Sequence, residues 1–88
     1  MSMYSNGLLH ERMVLVNGHF NTMHADHVRL FKFASDFGHL VVAINGDEAN
    51  GLKYGSHAVP AVARREVLES CRYVGTVVVF DEPDPREV

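Results

Sequence analysis

Three short apolar runs constrain this chain more than anything else in it: Met13-Val14-Leu15-Val16, Leu40-Val41-Val42-Ala43-Ile44 and Thr76-Val77-Val78-Val79-Phe80. Each is too short for a buried helix and rich in β-branched residues, so each reads as a buried strand. Their apolarity is continuous, not alternating, which predicts strands covered on both faces, as in a parallel sheet. Between the first two runs, Val28, Phe31 and Ala34 recur at helical spacing with Leu30 and Phe37 beside them. That pattern predicts a helix over 23–37, capped by Asn21 or Thr22, with Gly38 just past its end. After Pro60, Val67, Leu68, Cys71 and Val74 mark a second helix, and proline suits a helix start. Residues 48–58 are polar and glycine-rich and read as a loop. Residues 81–88, acidic and holding two prolines, read likewise.

The order β-α-β-α-β implies a Rossmann-like α/β fold with a parallel sheet and right-handed crossovers. A chain of 88 residues holds one domain at most. An N-terminal tail over residues 1–12, irregular through 11, precedes an α/β domain over residues 13–88.

Composition narrows the function. A net charge of −3 leaves no basic stripe to neutralise a nucleic-acid backbone, so a general nucleic-acid binder is excluded. A small anionic ligand needs only a local cluster of donors and stays open. No run approaches the ~20 apolar residues of a membrane helix, and no apolar leader segment is evident. Cys71 is the single cysteine, so no internal disulfide forms. A reducing, cytoplasmic setting is the simplest expectation.

The chemistry-bearing residues gather at the strand ends. Gly18 closes the first strand just before a helix. Ligands of open α/β sheets bind outside the carboxyl ends of the strands, and helix N-termini favour anions. Neither G-x-G-x-x-G nor G-x-x-x-x-G-K-[ST] is present at this turn. His24 and His27, three residues apart, share one helix face. Two imidazoles there suit phosphate oxygens and charge building in a transition state. They also suit a metal, although local sequence supplies no third ligand, or simple bonding to backbone. Lys53 and either Arg64 or Arg65 have the charge to reach a triphosphate, or lie on solvated surface. Asp47 suits a ribose or sugar hydroxyl, or a turn cap.

Taken together, these residues resemble the cytidylyltransferase-like nucleotidyltransferases. That family's G-x-F-D-x-x-H-x-G-H motif corresponds here to Gly18-His19-Phe20-Asn21-Thr22-Met23-His24-Ala25-Asp26-His27. The resemblance continues through Val42-Ala43-Ile44-Asn45-Gly46-Asp47, through Lys53, and through Arg64-Arg65-Glu66-Val67-Leu68-Glu69-Ser70-Cys71-Arg72-Tyr73-Val74, where Arg64 matches the motif arginine. Phe80-Asp81-Glu82-Pro83-Asp84-Pro85 is similar to the segment after strand three in heptose-1-phosphate adenylyltransferases. The family's C-terminal Ser/Thr-rich motif is not present in these 88 residues.

The resemblance implies transfer of a nucleoside monophosphate from ATP or CTP to a phosphorylated sugar or polyol. Pyrophosphate leaves, Mg²⁺ accompanies the reaction, and no covalent enzyme intermediate forms. It also implies site roles. Gly18 and the backbone at His19 and Phe20 would lie against the phosphates. His24, His27 and Lys53 would be the catalytic groups, with Arg64 supporting the bound nucleotide and Asp47 the acceptor. No protein metal site is implied, and open sheet edges imply a homo-oligomer. A non-catalytic nucleotide binder or an oligomerising half-domain is the alternative. Asn21 and Asp26 stand where the motif has Asp and Gly. At ~4 Å and an effective dielectric of ~20, the Asp26 charge would repel a phosphate charge by about 4 kcal/mol. A turn of Asp26 toward solvent, or a nearby cation, would relieve that repulsion.

Overall fold

The computed structural model describes residues 2–5 and 12–81. The three apolar runs form parallel neighbouring strands: β2 (Met13–Gly18), β3 (His39–Asn45) and β4 (Thr76–Phe80). Helix α1 (Ala25–Ser35) crosses from β2 to β3. Helices α2 (Asp47–Tyr54) and α3 (Ala61–Glu69), joined by a 3-10 turn at Gly55–His57, cross from β3 to β4. The Rossmann-like α/β reading holds.

The parallel register explains the core. Val14 lies beside Leu40, Val16 beside Val42, and Val42 beside Val77, so these side chains share one face. They close with Phe31 and Ala34 of α1 and Leu68 of α3 into one buried cluster. On the other face Leu15 and Val41 are half-buried, while Met13 and Val78 are 50% and 42% exposed. The expectation of cover on both faces is therefore corrected among the described residues. Helices α1 and α3 pack on the same face, and Ala43 is the one buried strand residue opposite among the described residues.

Three local expectations also change. Ser2–Ser5 is not irregular: it forms β1, antiparallel to β2, with Ser2 beside Asn17 and Ser5 beside Val14. Residues 1 and 6–11, and the expected loop over 82–88, lie outside the described residues. Residues 48–57 are helical where a loop was expected over 48–58, and only Ala58 is extended. The helix α2 buries only Asn50 and leaves Leu52 78% exposed, so it has no apolar stripe for the sequence to display. Finally, α1 begins at Ala25 with His24 as its N-cap and no side-chain capping bond, because Asn21 is engaged elsewhere. Past its end, a Cβ on Gly38 would collide with the Arg12 carbonyl, which accepts the His39 N–H at 2.9 Å as β3 begins.

Candidate active site

The chain turns sharply after β2. Phe20 has φ +51°, a left-handed conformation that disfavours an L side chain by about 1–2 kcal/mol. Burial holds it there. Its ring is 8% exposed and packs 5.5 Å from the Phe31 ring and edge-on to His27 at 5.2 Å. The ring also lies over Gly18, where a Cβ would stand 2.9 Å from Phe20 Cε2. Gly18 is thus required by the close approach of Phe20, and Phe20 has only its backbone to offer a ligand.

His24 and His27 stack with ring centroids 4.0 Å apart and planes at 25°. The His24 carbonyl accepts the amides of His27 and Val28, opening α1. The first amides of α1 have no acceptor within the helix, by helix geometry. The buried His27 Nδ1 has no hydrogen-bond partner among the described residues. Burial, then the neighbouring His24 charge, lowers the His27 pKa, against a smaller opposing effect of Asp26. Asp26 itself pairs with Arg29 at 2.9 Å, both side chains being more than three-quarters exposed. Both routes of relief expected for its charge are therefore present.

A second set of bonds ties this turn to α2. Asn21 and Asn50 exchange two amide hydrogen bonds, each 2.8 Å. Asn21 Oδ1 also accepts the Val59 N–H at 2.8 Å. His19 Nδ1 lies 2.9 Å from Asn50 Oδ1, an acceptor, so His19 carries its proton on Nδ1. Burial lowers the His19 pKa, the Asn50 bond opposes this, and Lys53 and Arg64 lower it further. Lys53 sits in the last turn of α2, not in a loop, with its Nζ 5.6 Å from the Tyr54 ring centroid. Tyr54 meets the His19 ring edge-on at 5.0 Å.

Asp47 and Arg64 form a third set. Asp47 Oδ1 accepts the Ala61 N–H at 2.7 Å, capping α3, and lies 3.3 Å from Arg64 Nη2. The Arg64 side chain is fully buried and donates to the carbonyls of Val59, His19 and Asn45. Arg65, by contrast, is half-exposed and paired with Glu69.

The structure thus brings Gly18, His19, Phe20, His24 and His27 to one turn, with Lys53 reached through Tyr54. Asp47 and Arg64 lie beneath that turn, at the carboxyl end of β3. Sequence reasoning missed Asn50 and Tyr54. Asn50 stands three residues after Asp47, on the same helix face, but that signal is legible only once the segment is known to be helical. Among the described residues, no group of three or more His, Cys, Asp or Glu side chains is arranged to hold a metal ion. None of the described helices is long and apolar enough to cross a membrane.

A parallel α/β sheet whose first crossover helix opens on a left-handed turn and a stacked imidazole pair defines the class of domain. The profile of the family described as Cytidylyltransferase-like matches residues 15–87, and the chain belongs to that family. Its relatives include the bifunctional protein HldE of Koribacter versatilis (strain Ellin345), 41% identical over 81 residues, covering 89% of this chain and 17% of the relative. The HldE proteins of Coxiella burnetii (strain Dugway 5J108-111) and Blochmanniella floridana are 38% and 36% identical over the same lengths and shares. The chain therefore spans 17% of the length of these relatives.

Proposed function

We propose that this chain forms the phosphate-binding part of a nucleotidyltransferase, moving a nucleoside monophosphate from ATP or CTP to a phosphorylated sugar or polyol. A phosphate oxygen of the acceptor attacks the α-phosphorus. The bond from that phosphorus to the bridging oxygen breaks, and pyrophosphate leaves with the electron pair. The observation that carries this reading is the stacked His24–His27 pair at the first turn of α1, beside the strained Phe20 turn.

In this reading Gly18 lets the backbone of His19 and Phe20 approach the phosphates. His24 and His27 donate to phosphate oxygens as charge builds, and Lys53 holds phosphate from α2. Asp47 has a second carboxylate oxygen for an acceptor hydroxyl. Mg²⁺ would arrive with the triphosphate and neutralise part of its charge, since this ion commonly binds through substrate phosphates. Among the described residues, no group of three or more His, Cys, Asp or Glu side chains forms a cage for it. Nucleic acid and membrane are not partners in this reading. A homo-oligomer and a cytoplasmic setting accompany it.

A pyrophosphate-release screen, pairing ATP and CTP with a panel of phosphorylated acceptors, tests the reading. Loss of more than about tenfold on His24→Ala and on His27→Ala is expected, the usual size for a lost transition-state donor. A smaller loss counts against it. A second reading, a non-catalytic nucleotide binder, is favoured by the burial of His27, which lowers its pKa and leaves less of it as the charged imidazolium at neutral pH. Nucleotide binding by calorimetry without turnover would select that reading.

A further inference from the structure

Arg64 occupies the motif position from which an arginine would be expected to touch bound nucleotide, yet its side chain is fully buried. A guanidinium has five N–H groups in a rigid fork. Here Nε donates to the Val59 carbonyl at 2.6 Å. Nη1 donates to the carbonyls of His19 at 3.0 Å and Asn45 at 2.6 Å, and Nη2 lies 3.3 Å from Asp47 Oδ1. Four of the five N–H groups thus have protein acceptors. The fifth belongs to a side chain with no solvent exposure, so a ligand could reach it only by displacing what covers it.

The acceptors are informative. His19 is the first residue beyond β2 and Asn45 is the last of β3, at the carboxyl ends of adjacent paired strands. Arg64 therefore joins the two strand ends where their ladder stops. In a trans peptide the C=O and the following N–H point in opposite directions. Drawing the His19 carbonyl onto Arg64 consequently aims the Phe20 N–H away from the guanidinium. The same relation holds at Asn45, where the following Gly46 N–H turns to the Phe80 carbonyl at 2.8 Å.

We propose that Arg64 is a positioning residue that aims the Phe20 amide at the phosphate site by holding the His19 carbonyl, and does not contact the ligand. This rests on the phosphate-binding reading of the turn. It also gives the left-handed Phe20 a cause besides ring packing, because the peptide before it is held from below.

Amide and arginine Nε–H NMR signals of the full chain test the proposal, with inorganic tripolyphosphate as the probe. In the wild-type protein, saturation with tripolyphosphate should move the Phe20 amide and leave Arg64 Nε–H nearly unmoved and slow to exchange. Comparable movement of both signals overturns the proposal in favour of direct contact. Arg64→Lys should shift the Phe20 amide before any ligand is added and weaken tripolyphosphate binding tenfold or more, while Arg65→Lys does neither. A folded Arg64→Lys protein with wild-type affinity, or with an unmoved Phe20 amide, overturns it. Should Arg64→Lys fail to fold, the wild-type titration decides alone. Should the wild-type protein bind no tripolyphosphate, the phosphate-binding reading fails. The Phe20 shift in ligand-free Arg64→Lys then still decides whether Arg64 sets the turn.

Discussion

The turn after β2 and the polar clamp beneath it hold similar residue types under opposite conditions. In the clamp, Arg64, Asn50, Asn21 and Asp47 give their hydrogen-bonding groups to one another or to backbone. In the turn, His24 and His27 stack without a bond between them, and His27 Nδ1 has no partner among the described residues. Satisfied polar groups rigidify their surroundings, whereas a buried group without a partner is costly and is held there by the packing around it. The division of labour follows from geometry. The clamp residues come from α2, α3 and the loop between β2 and α1, and converge on the buried Arg64 and Asn50 side chains. The imidazoles project from a helix start.

The largest expected effect tests the clamp. Arg64→Met would take a donor from three carbonyls and a carboxylate, of which the Val59 carbonyl keeps Asn50 Nδ2 and Asp47 Oδ1 keeps the Ala61 N–H. It should lower the urea-unfolding free energy by about 2–4 kcal/mol, since each buried acceptor left unsatisfied costs about 1–3 kcal/mol. A change under about 1 kcal/mol would show that the clamp contributes little. Next comes the junction of the two regions: Gly18→Val places side-chain atoms where Phe20 already packs. Overpacking of this kind costs about 1–3 kcal/mol, and the displaced ring should shift the His27 ring signals. Unchanged His27 signals would uncouple Phe20 from the imidazole pair.

The third effect is a pH dependence. His19 and His27 both have pKa values lowered in the folded chain by burial. Below the ordinary value of 6.5 the unfolded chain binds more protons than the folded one, so stability should fall as pH drops from about 6.5 through the lowered values. Urea midpoints measured down that window, with His27→Leu as the comparison, check this; an unchanged slope in the variant would assign the effect elsewhere. The smallest effect concerns the turn alone. Asp26 is exposed and paired with Arg29, so Asp26→Asn should move stability by no more than ~1 kcal/mol. It should tighten nucleotide binding less than about fivefold, the factor left for one charge at ~4 Å in high dielectric. A gain of a hundredfold would mean that Asp26 faces the phosphates.

The parts legible in the sequence are those with a local signal. The three parallel strands lie where their apolar runs are, within one or two residues at each end, because a buried strand advertises itself by composition. Helix α1 was legible from Phe31 and Ala34, and α3 from Leu68 behind Pro60. Helix α2 was not, because one buried amide holds it in place of an apolar stripe. The strand β1 was not legible either, because it borrows its hydrogen bonds from β2. His24 and His27 stand at the start of α1, where the apolar pattern placed a helix, with their rings stacked.

By itself, then, the sequence determined the α/β class, the parallel neighbours β2, β3 and β4, and the turn Gly18–His27 as the place to look for phosphate chemistry. Those follow from periodicity and residue type, which act over a few residues. Only the tertiary structure decided which polar residues stay at the turn after β2 and which are engaged beneath it. Asp47 and Arg64 meet across 17 residues, Asn21 and Asn50 across 29, and Arg64 reaches His19 across 45. Side-chain hydrogen bonds at such separations leave no local pattern, because what selects them is the desolvation of each group at the point where the packed elements converge.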